Sequence, residues 1–343
     1  MDDTRTAPEL VAEALALARA AVETEDRGEC GALLWQAAKD GAAAAPLGVE
    51  LIASDDPVER AVGCELLGDA SDQNEWLRDD TAGRLVALAG RETDVEVLNR
   101  LAAAIERTYD PRGVAVLVTL AGHPDAELRE PVARSFPGLL TGRPDGPDIR
   151  ALLTLCRDPE DEVRNWATFT LGFQAEVDSS AIRAALMERT TDPFPEVREE
   201  AVAGLARRHD PRAVPLLVEL LADPEGTHSF TVSAATIMGV PELLPALAAY
   251  EREDSWLPEA MAACDPVRRA EADAVAWALV SELHRLSPAL DAAVHMPRFD
   301  PGIVLTVGGG AEVLRYDVGS LLARADDDSR RAVELVASDA AGS

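Results

Sequence analysis

The stretch Asp192-Pro193-Phe194-Pro195-Glu196-Val197-Arg198, followed by Ala201, Leu205 and Asp210-Pro211-Arg212, has a near copy 34 residues earlier. That copy reads Asp158-Pro159, Glu162-Val163-Arg164, Ala167 and Leu171-Gly172. A weaker copy runs from Asp94 through Glu96-Val97, Leu101 and Ile105 to Asp110-Pro111-Arg112. A period in the thirties marks a stack of short helical repeats, in which each repeat buries its apolar face on its neighbours. A stack of this kind grows without dividing into separate cores, so a 343-residue chain fits it.

Aligned on the arginine of the first helix, the repeats carry Arg60, Leu98, Arg129, Arg164 and Arg198. Three positions on stand Gly63, Leu101, Val132, Ala167 and Ala201, and seven positions on stand Leu67, Ile105, Phe136, Leu171 and Leu205. Offsets of three and seven share one face of a helix, so these residues are predicted to be buried between repeats. The steps of 38, 31, 35 and 34 residues place the length variation in turns. Acidic turns open the repeats at Asp55-Asp56-Pro57, Asp158-Pro159, Asp192-Pro193 and Asp223-Pro224. There Asp is expected to cap the helix and Pro to sit in its first turn. Asp-Pro-Arg at 110–112 and 210–212 announces second helices.

Before the repeats, residues 8–27 read as a helix. A second follows through Leu33, Leu34, Trp35 and Ala38 to Gly41, and Ala42 to Pro46 read as a link. Weaker repeats span Asp223 to Tyr250 and Val267 to Leu286. Near the C-terminus, Ile303–Val307 and Glu312–Val318 flank Gly308-Gly309-Gly310, the pattern of a β-hairpin. An isolated hairpin is marginal in water, so it should pack on the last helices or on another chain. A final helix is expected over about 321–336, interrupted at Asp326-Asp327-Asp328. The organisation predicted is an N-terminal helical cap (1–48), a repeat solenoid (49–290), and a C-terminal segment (291–343) with the hairpin at about 303–318.

Sixty-two acidic against 32 basic residues give a net charge of −30. Such a field repels nucleic-acid phosphate and anionic membranes and attracts cationic partners. Lys39 is the sole lysine, and high solubility, an arginine-favouring codon usage or a salt-rich cytoplasm accounts for the balance equally well. Cys30, Cys64, Cys156 and Cys264 form no Cys-x-x-Cys pair, and Cys64 falls at a small-residue core position. Without an apolar signal core after Met1-Asp2-Asp3 or a run long enough to span a membrane, a cytoplasmic location is expected.

The string Asp158 to Gly172, and Asp192 to Leu221 with its Asp-Pro-Arg-Ala-Val-Pro-Leu-Leu, resembles the HEAT repeat in its bacterial phycobilisome-lyase-like variety. The resemblance covers about residues 50–250. It implies an all-α, right-handed α–α superhelix that binds proteins on a concave face lined by second helices. It also implies an arginine ladder, here Arg164 and Arg198 with Asp158 and Asp192; Leu98 and Glu59 depart from that pattern. Some relatives are chromophore lyases and others alkyl-base DNA glycosylases, so fold alone does not decide activity.

Chemistry-bearing patterns are scarce. His123, His209, His228, His284 and His295 have no metal-ligand spacing. His123 and His209 read as capping residues in repeat turns. No Gly-x-Ser-x-Gly elbow or phosphate-binding loop is present, and the carboxylates fall where a solvated surface is the default. No catalytic residue, metal ligand or cofactor is assigned. The reading is a non-enzymatic protein-binding scaffold, with Arg150, Arg183, Glu188, Glu219 and Tyr250 as contacts on second helices. Trp166 either fills a gap between repeats or serves as a hot spot. A protein partner, cationic in one version, is expected; nucleic acid and membrane are not, and a monomer is favoured. The rivals are a HEAT-like lyase or DNA-glycosylase-type enzyme, and an acidic neutraliser such as an immunity protein or DNA mimic. The charge of the second-helix face separates them: basic for nucleic-acid chemistry, acidic for a cationic protein, neutral or apolar for a peptide or helix.

Overall fold

The computed structural model describes residues 5–20, 28–224, 230–252, 254–286, 291–295, 302–308, 313–326 and 328–342. The chain forms two compact units, Met1–Ala185 and Leu186–Ser343. In the first, α1 (Ala7–Ala20) pairs with α2 (Gly28–Ala37) and α3 (Gly41–Leu51) with α4 (Pro57–Gln73). There follow α5 (Arg78–Ala89), α6 (Val95–Glu106), α7 (Gly113–Leu120), α8 (Ala126–Arg134), α9 (Pro147–Leu155) and α10 (Asp161–Phe169). First helices α4, α6, α8 and α10 pack successively on one another; second helices α5, α7 and α9 do the same. This is the predicted all-α repeat stack.

Helix α11 (Ser180–Arg189) carries the boundary. The second unit continues with α12 (Pro195–Arg207), α13 (Ala213–Ala222), α14 (Thr231–Met238), α15 (Leu244–Ala248), α16 (Leu257–Cys264) and α17 (Pro266–Leu286). Its end carries the two expected hairpin strands, paired antiparallel, and adds a third. Strands β1 (Asp291–His295), β2 (Val304–Gly308) and β3 (Val313–Asp317) form an antiparallel sheet in that order. Residues 309–312, the expected turn, lie outside the described residues. The added strand Asp-Ala-Ala-Val-His lacks a bulky alternating pattern. It is held by pairing Val294 with Leu305 and by packing on α17. Leu305 and Val307 share a core with Leu279 and Leu283 of α17 and Val333 and Val336 of α19 (Ser329–Gly342), so the sheet docks on the last helices. The expected final helix divides into α18 (Val318–Arg324) and α19 around the acidic run.

All five residues at the seventh position, Leu67, Ile105, Phe136, Leu171 and Leu205, are buried, none above 1% exposed. Small residues let the first helices approach closely. A Cβ on Gly63 would lie 2.8 Å from the amide nitrogen of Ile52, and one on Gly68 would lie 2.7 Å from Ala104 Cα. Cys64 is fully buried, and burial pushes its thiol to about 12, so it stays protonated as a core residue. The other three cysteines are buried as well.

Two local readings are corrected, and the end of the first expected helix lies outside the described residues. Ala42–Pro46 are no link but the body of α3, because Asp40 accepts the Ala43 amide and the alanines propagate the helix past Pro46. Helix α1 is described only to Ala20, and residues 21–27 lie outside the described residues. Asp56 caps α4 with Pro57 in its first turn, as expected. Asp158 and Asp192 instead accept the amides of Glu160 and Phe194 within the turns, while Glu160 and Phe194 occupy the N-cap positions.

The arginine register holds, with different chemistry. Arg60, Arg129, Arg164 and Arg198 each donate from Nη1 to the carbonyl oxygens six and five residues earlier, at 2.9–3.1 Å. The turn aspartates Asp158 and Asp192 are thus met through their main-chain oxygens. Arg60 and Arg129 also reach the next repeat: Arg60 donates to Glu92, and Arg129 to Asp158 at 2.7 and 2.8 Å. Where Leu98 replaces the arginine, Glu92 closes the turn itself by accepting the amides of Thr93 and Asp94. Burial pulls the Glu92 carboxyl up, yet Arg60 and those two amides outweigh it and hold the pKa at about 2.

Leu171→Ala or Leu205→Ala is expected to cost roughly 2–5 kcal/mol in chemical denaturation, as a large-to-small core change. Hydrogen exchange should then show the altered repeat and its neighbours loosening first; uniform loosening along the chain would contradict nearest-neighbour stacking.

The Arg129–Asp158 pair has side chains only 12% and 8% exposed. Removing one member of a buried pair strands the other, so Arg129→Met should cost about 3 kcal/mol. Arg112→Ala, at a pair whose side chains are 45% and 93% exposed, should lower the urea midpoint far less than Arg129→Met does. Equal urea midpoints for the two variants would remove the clamp's structural role.

Candidate functional site

The second-helix face was the expected binding surface. In the first unit, α7 and α9 bound a groove of about 300 Å³ lined by Val118, Ala121, Gly122, Pro147, Arg150, Ala151 and Thr154. Its side chains are small because α7 and α9 pack face to face, and its rim is uncharged apart from Arg150. That guanidinium donates to the carbonyl of Asp145. The groove is therefore neutral to apolar, and the acidity of the chain lies elsewhere.

Of the other candidates, Trp166 stands half-buried on first helix α10, edge-on to Phe169 at 6.0 Å. The Arg134 guanidinium of α8 lies 5.2 Å from its ring centroid, so it packs between repeats. Arg183 on α11 is engaged by Asp178 at 2.8 Å. Glu188 is exposed and pairs with Arg189. Glu219 is exposed on α13. Tyr250 is half-buried and lies beyond the end of α15, not on a second helix, because that helix stops at Ala248.

Buried charge elsewhere is structural. Glu199 of α12, 3% exposed, accepts the amides of Phe230 and Thr231 and the Thr231 hydroxyl, which fixes the start of α14. Asp148 does the same for Thr141. His123 Nδ1 accepts the Asp125 amide in its turn, and His209 is exposed in its turn with φ 49°; His228 lies outside the described residues. Among the described residues no group of three or more His, Cys, Asp or Glu is placed to hold a metal, and no helix is long and apolar enough to cross a membrane.

The edge formed by the ends of α2, α4 and α6 has the opposite character to the groove. Trp35, Trp76 and Tyr109 are exposed there by 44%, 67% and 50%. Tyr109 donates to Asp72 at 3.1 Å, and the Arg78 guanidinium sits 4.6 Å over its ring. Beneath them Asp69, 4% exposed, takes Arg107 Nη1 at 2.8 Å. Burial pushes Asp69 up to about 7 even though Arg107 opposes it. Burial raises Glu106 too, against the Gly138 amide it accepts. Trp76 is legible in the sequence as an isolated tryptophan. Tyr109 is legible only as the residue preceding Asp-Pro-Arg, the place His209 holds in the later copy.

Asp69 has a folded pKa near 7 against 3.8 for the free side chain. The folded chain keeps a proton there that the unfolded chain releases, so this stabilisation is full below about pH 4 and is lost as pH rises through 7. The Asp69 contribution to the urea midpoint of the wild-type chain should be lost between about pH 4 and 7 and stay constant above that, and Asp69→Asn should remove this pH-dependent loss. An unchanged slope in the variant would show that Asp69 is ionised throughout.

Comparison with known proteins gives the same fold. Residues 149–236 match the HEAT repeats family. Over 103 residues the chain is 36% identical to Protein YibA of Escherichia coli K12, which is 30% of this chain and 36% of that protein, and the O157:H7 protein matches equally. The chain thus spans about a third of the length of the curated relatives it matches. The crystal structure of E. coli YibA aligns with a TM-score of 0.57 at 22% identity, covering 77% of this chain and 98% of that one. The CpcE–CpcF complex of phycocyanin lyase from Nostoc sp. PCC7120 aligns at 19% identity over 64% of this chain and 86% of that chain, with a TM-score of 0.43; a likeness that low carries nothing about activity. Residues 149–236 carry the HEAT-repeat signature, and the chain shares the helical repeat fold of the E. coli structure.

Proposed function

We propose that this chain is a non-enzymatic scaffold that binds a protein partner, and that the α7–α9 groove receives an uncharged or apolar segment of it. The observation that carries this reading is the groove itself. It is a concavity of about 300 Å³ on the second-helix face, lined by Ala121, Gly122, Ala151 and Thr154, with a single cation at Arg150. Small residues leave space for an incoming helix or extended peptide, and apolar walls supply affinity without demanding charge. A groove with one arginine is too weakly basic to hold a nucleic-acid backbone against a net charge of −30. The rival enzyme reading draws little support, because the buried carboxylates Glu92, Asp148 and Glu199 are each consumed in holding turns or helix starts. An acidic neutraliser would use the surfaces outside this groove.

The test is capture of partners from the source cell by the wild-type chain and by Ala151→Glu, which fills the groove and charges it without touching the core. A partner held by wild type should be lost, or weakened at least tenfold, by Ala151→Glu, and retained by Glu219→Gln on another helix. If Ala151→Glu holds the same partner at equal affinity, the groove is not its site. Duplex DNA bound tightly at physiological salt would overturn the protein-partner reading.

A further inference from the structure

We propose that the edge bearing Trp35, Trp76 and Tyr109 is a docking surface for an arginine-bearing segment of a protein partner. It is separate from the α7–α9 groove and has the opposite chemistry. Trp35 stands near the end of α2 in the N-terminal cap, and Trp76 and Tyr109 stand just past the ends of the first helices α4 and α6. The segment from Gln73 to Arg78 joins them: Gln73 Nε2 donates to the Trp35 carbonyl at 3.0 Å, and Arg78 covers Tyr109. Large apolar rings left 44–67% exposed on one edge of a water-facing protein mark a surface with a use.

The edge already shows how it holds a guanidinium. Arg78 Cζ lies 4.6 Å from the centroid of the Tyr109 ring while its Nη1 donates to Glu75 at 3.1 Å, a ring and a carboxylate sharing one guanidinium. Trp76, two residues earlier, offers a larger ring, and no cation among the described residues covers it. Four carboxylates outside the buried Asp69, namely Asp72, Glu75, Asp79 and Asp80, line this stretch; Asp79 and Asp80 are paired with Arg112 and Arg84, and Glu75 with Arg78. Glu75, Asp79 and Asp80 have side chains 84%, 93% and 67% exposed. Ion pairs that exposed contribute little, so these carboxylates can exchange an internal arginine for an incoming one. A planar guanidinium stacks on aromatic faces and bonds carboxylates in its plane, which favours arginine over lysine. Phosphate is repelled by the same carboxylates.

The experiment titrates the full chain into a fluorescein-labelled peptide of alternating arginine and serine at physiological salt, read by anisotropy. Wild type should bind, and the same peptide with lysine should bind more weakly. Trp76→Ala, and Tyr109→Asn, which keeps a residue tolerant of that left-handed backbone, should each weaken binding about fivefold. Neither changes the net charge, so attraction by the bulk field stays constant. Trp256→Ala and Trp277→Ala, at residues each 59% exposed in the second unit, should bind as wild type does. Equal binding by wild type, Trp76→Ala and Tyr109→Asn would overturn the proposal, as would equal weakening by the two controls or an absence of binding. The groove reading is judged by Ala151→Glu and stands or falls independently.

Discussion

A single guanidinium contact recurs through the stack: Nη1 of Arg60, Arg129, Arg164 and Arg198 bridges two successive carbonyls of the turn before its own helix. Those carbonyls belong to the turn, outside the hydrogen bonding of the helix that follows. An arginine six residues on satisfies both and sets the angle at which the chain enters its helix. The same group then has donors left over for the neighbouring repeat, as Arg60 uses on Glu92 and Arg129 on Asp158. Local turn geometry and the spacing between repeats are therefore coupled through one side chain. The second aligned repeat shows that the requirement is the satisfied turn rather than the arginine itself. With Leu98 buried in its place, the turn is closed by the Glu92 carboxylate, anchored from the repeat before.

That coupling explains part of the acidity. Glu92, Asp158 and the capping aspartates Asp56, Asp94 and Asp125 are parts of the turns, and they lie toward the first-helix side. The second-helix face between α7 and α9 escapes it and stays neutral. Net charge therefore predicts poorly what any one surface will accept. A −30 chain presents an apolar groove on one side and an aromatic, carboxylate-rich edge on another.

The sequence reveals the stack through residues whose role is repeated. Leu67, Ile105, Phe136, Leu171 and Leu205 recur because every interface needs the same bulk, and all are buried. The arginines recur as well, but spacing alone does not separate a carboxylate partner from a carbonyl one, since both belong to the same Asp-Pro turn. Nonrecurring features are harder to read. Ala42–Pro46 resembles a link because proline masks a helix whose stability comes from packing on α4. β1 carries little strand propensity and exists through its partner β2. The groove is invisible in one dimension, being an emptiness between Gly122 and Ala151 on different helices. Tyr250 looked like a second-helix residue because Leu243, Leu244 and Leu247 continue the periodicity that α15 ends early.

Tyr109 and His209 share a left-handed backbone, with φ of 54° and 49°, just before each Asp-Pro-Arg. Glycine would adopt it with less strain, yet neither repeat uses one. A left-handed residue at a turn apex throws its side chain outward, clear of both helices, and both residues are exposed. These two repeats thus each own one position whose identity is nearly independent of the core, like a socket into which any tool fits. Tyrosine stands in one and histidine in the other, so substitution there gives a chain of constant architecture a way to diversify its outer rim one repeat at a time.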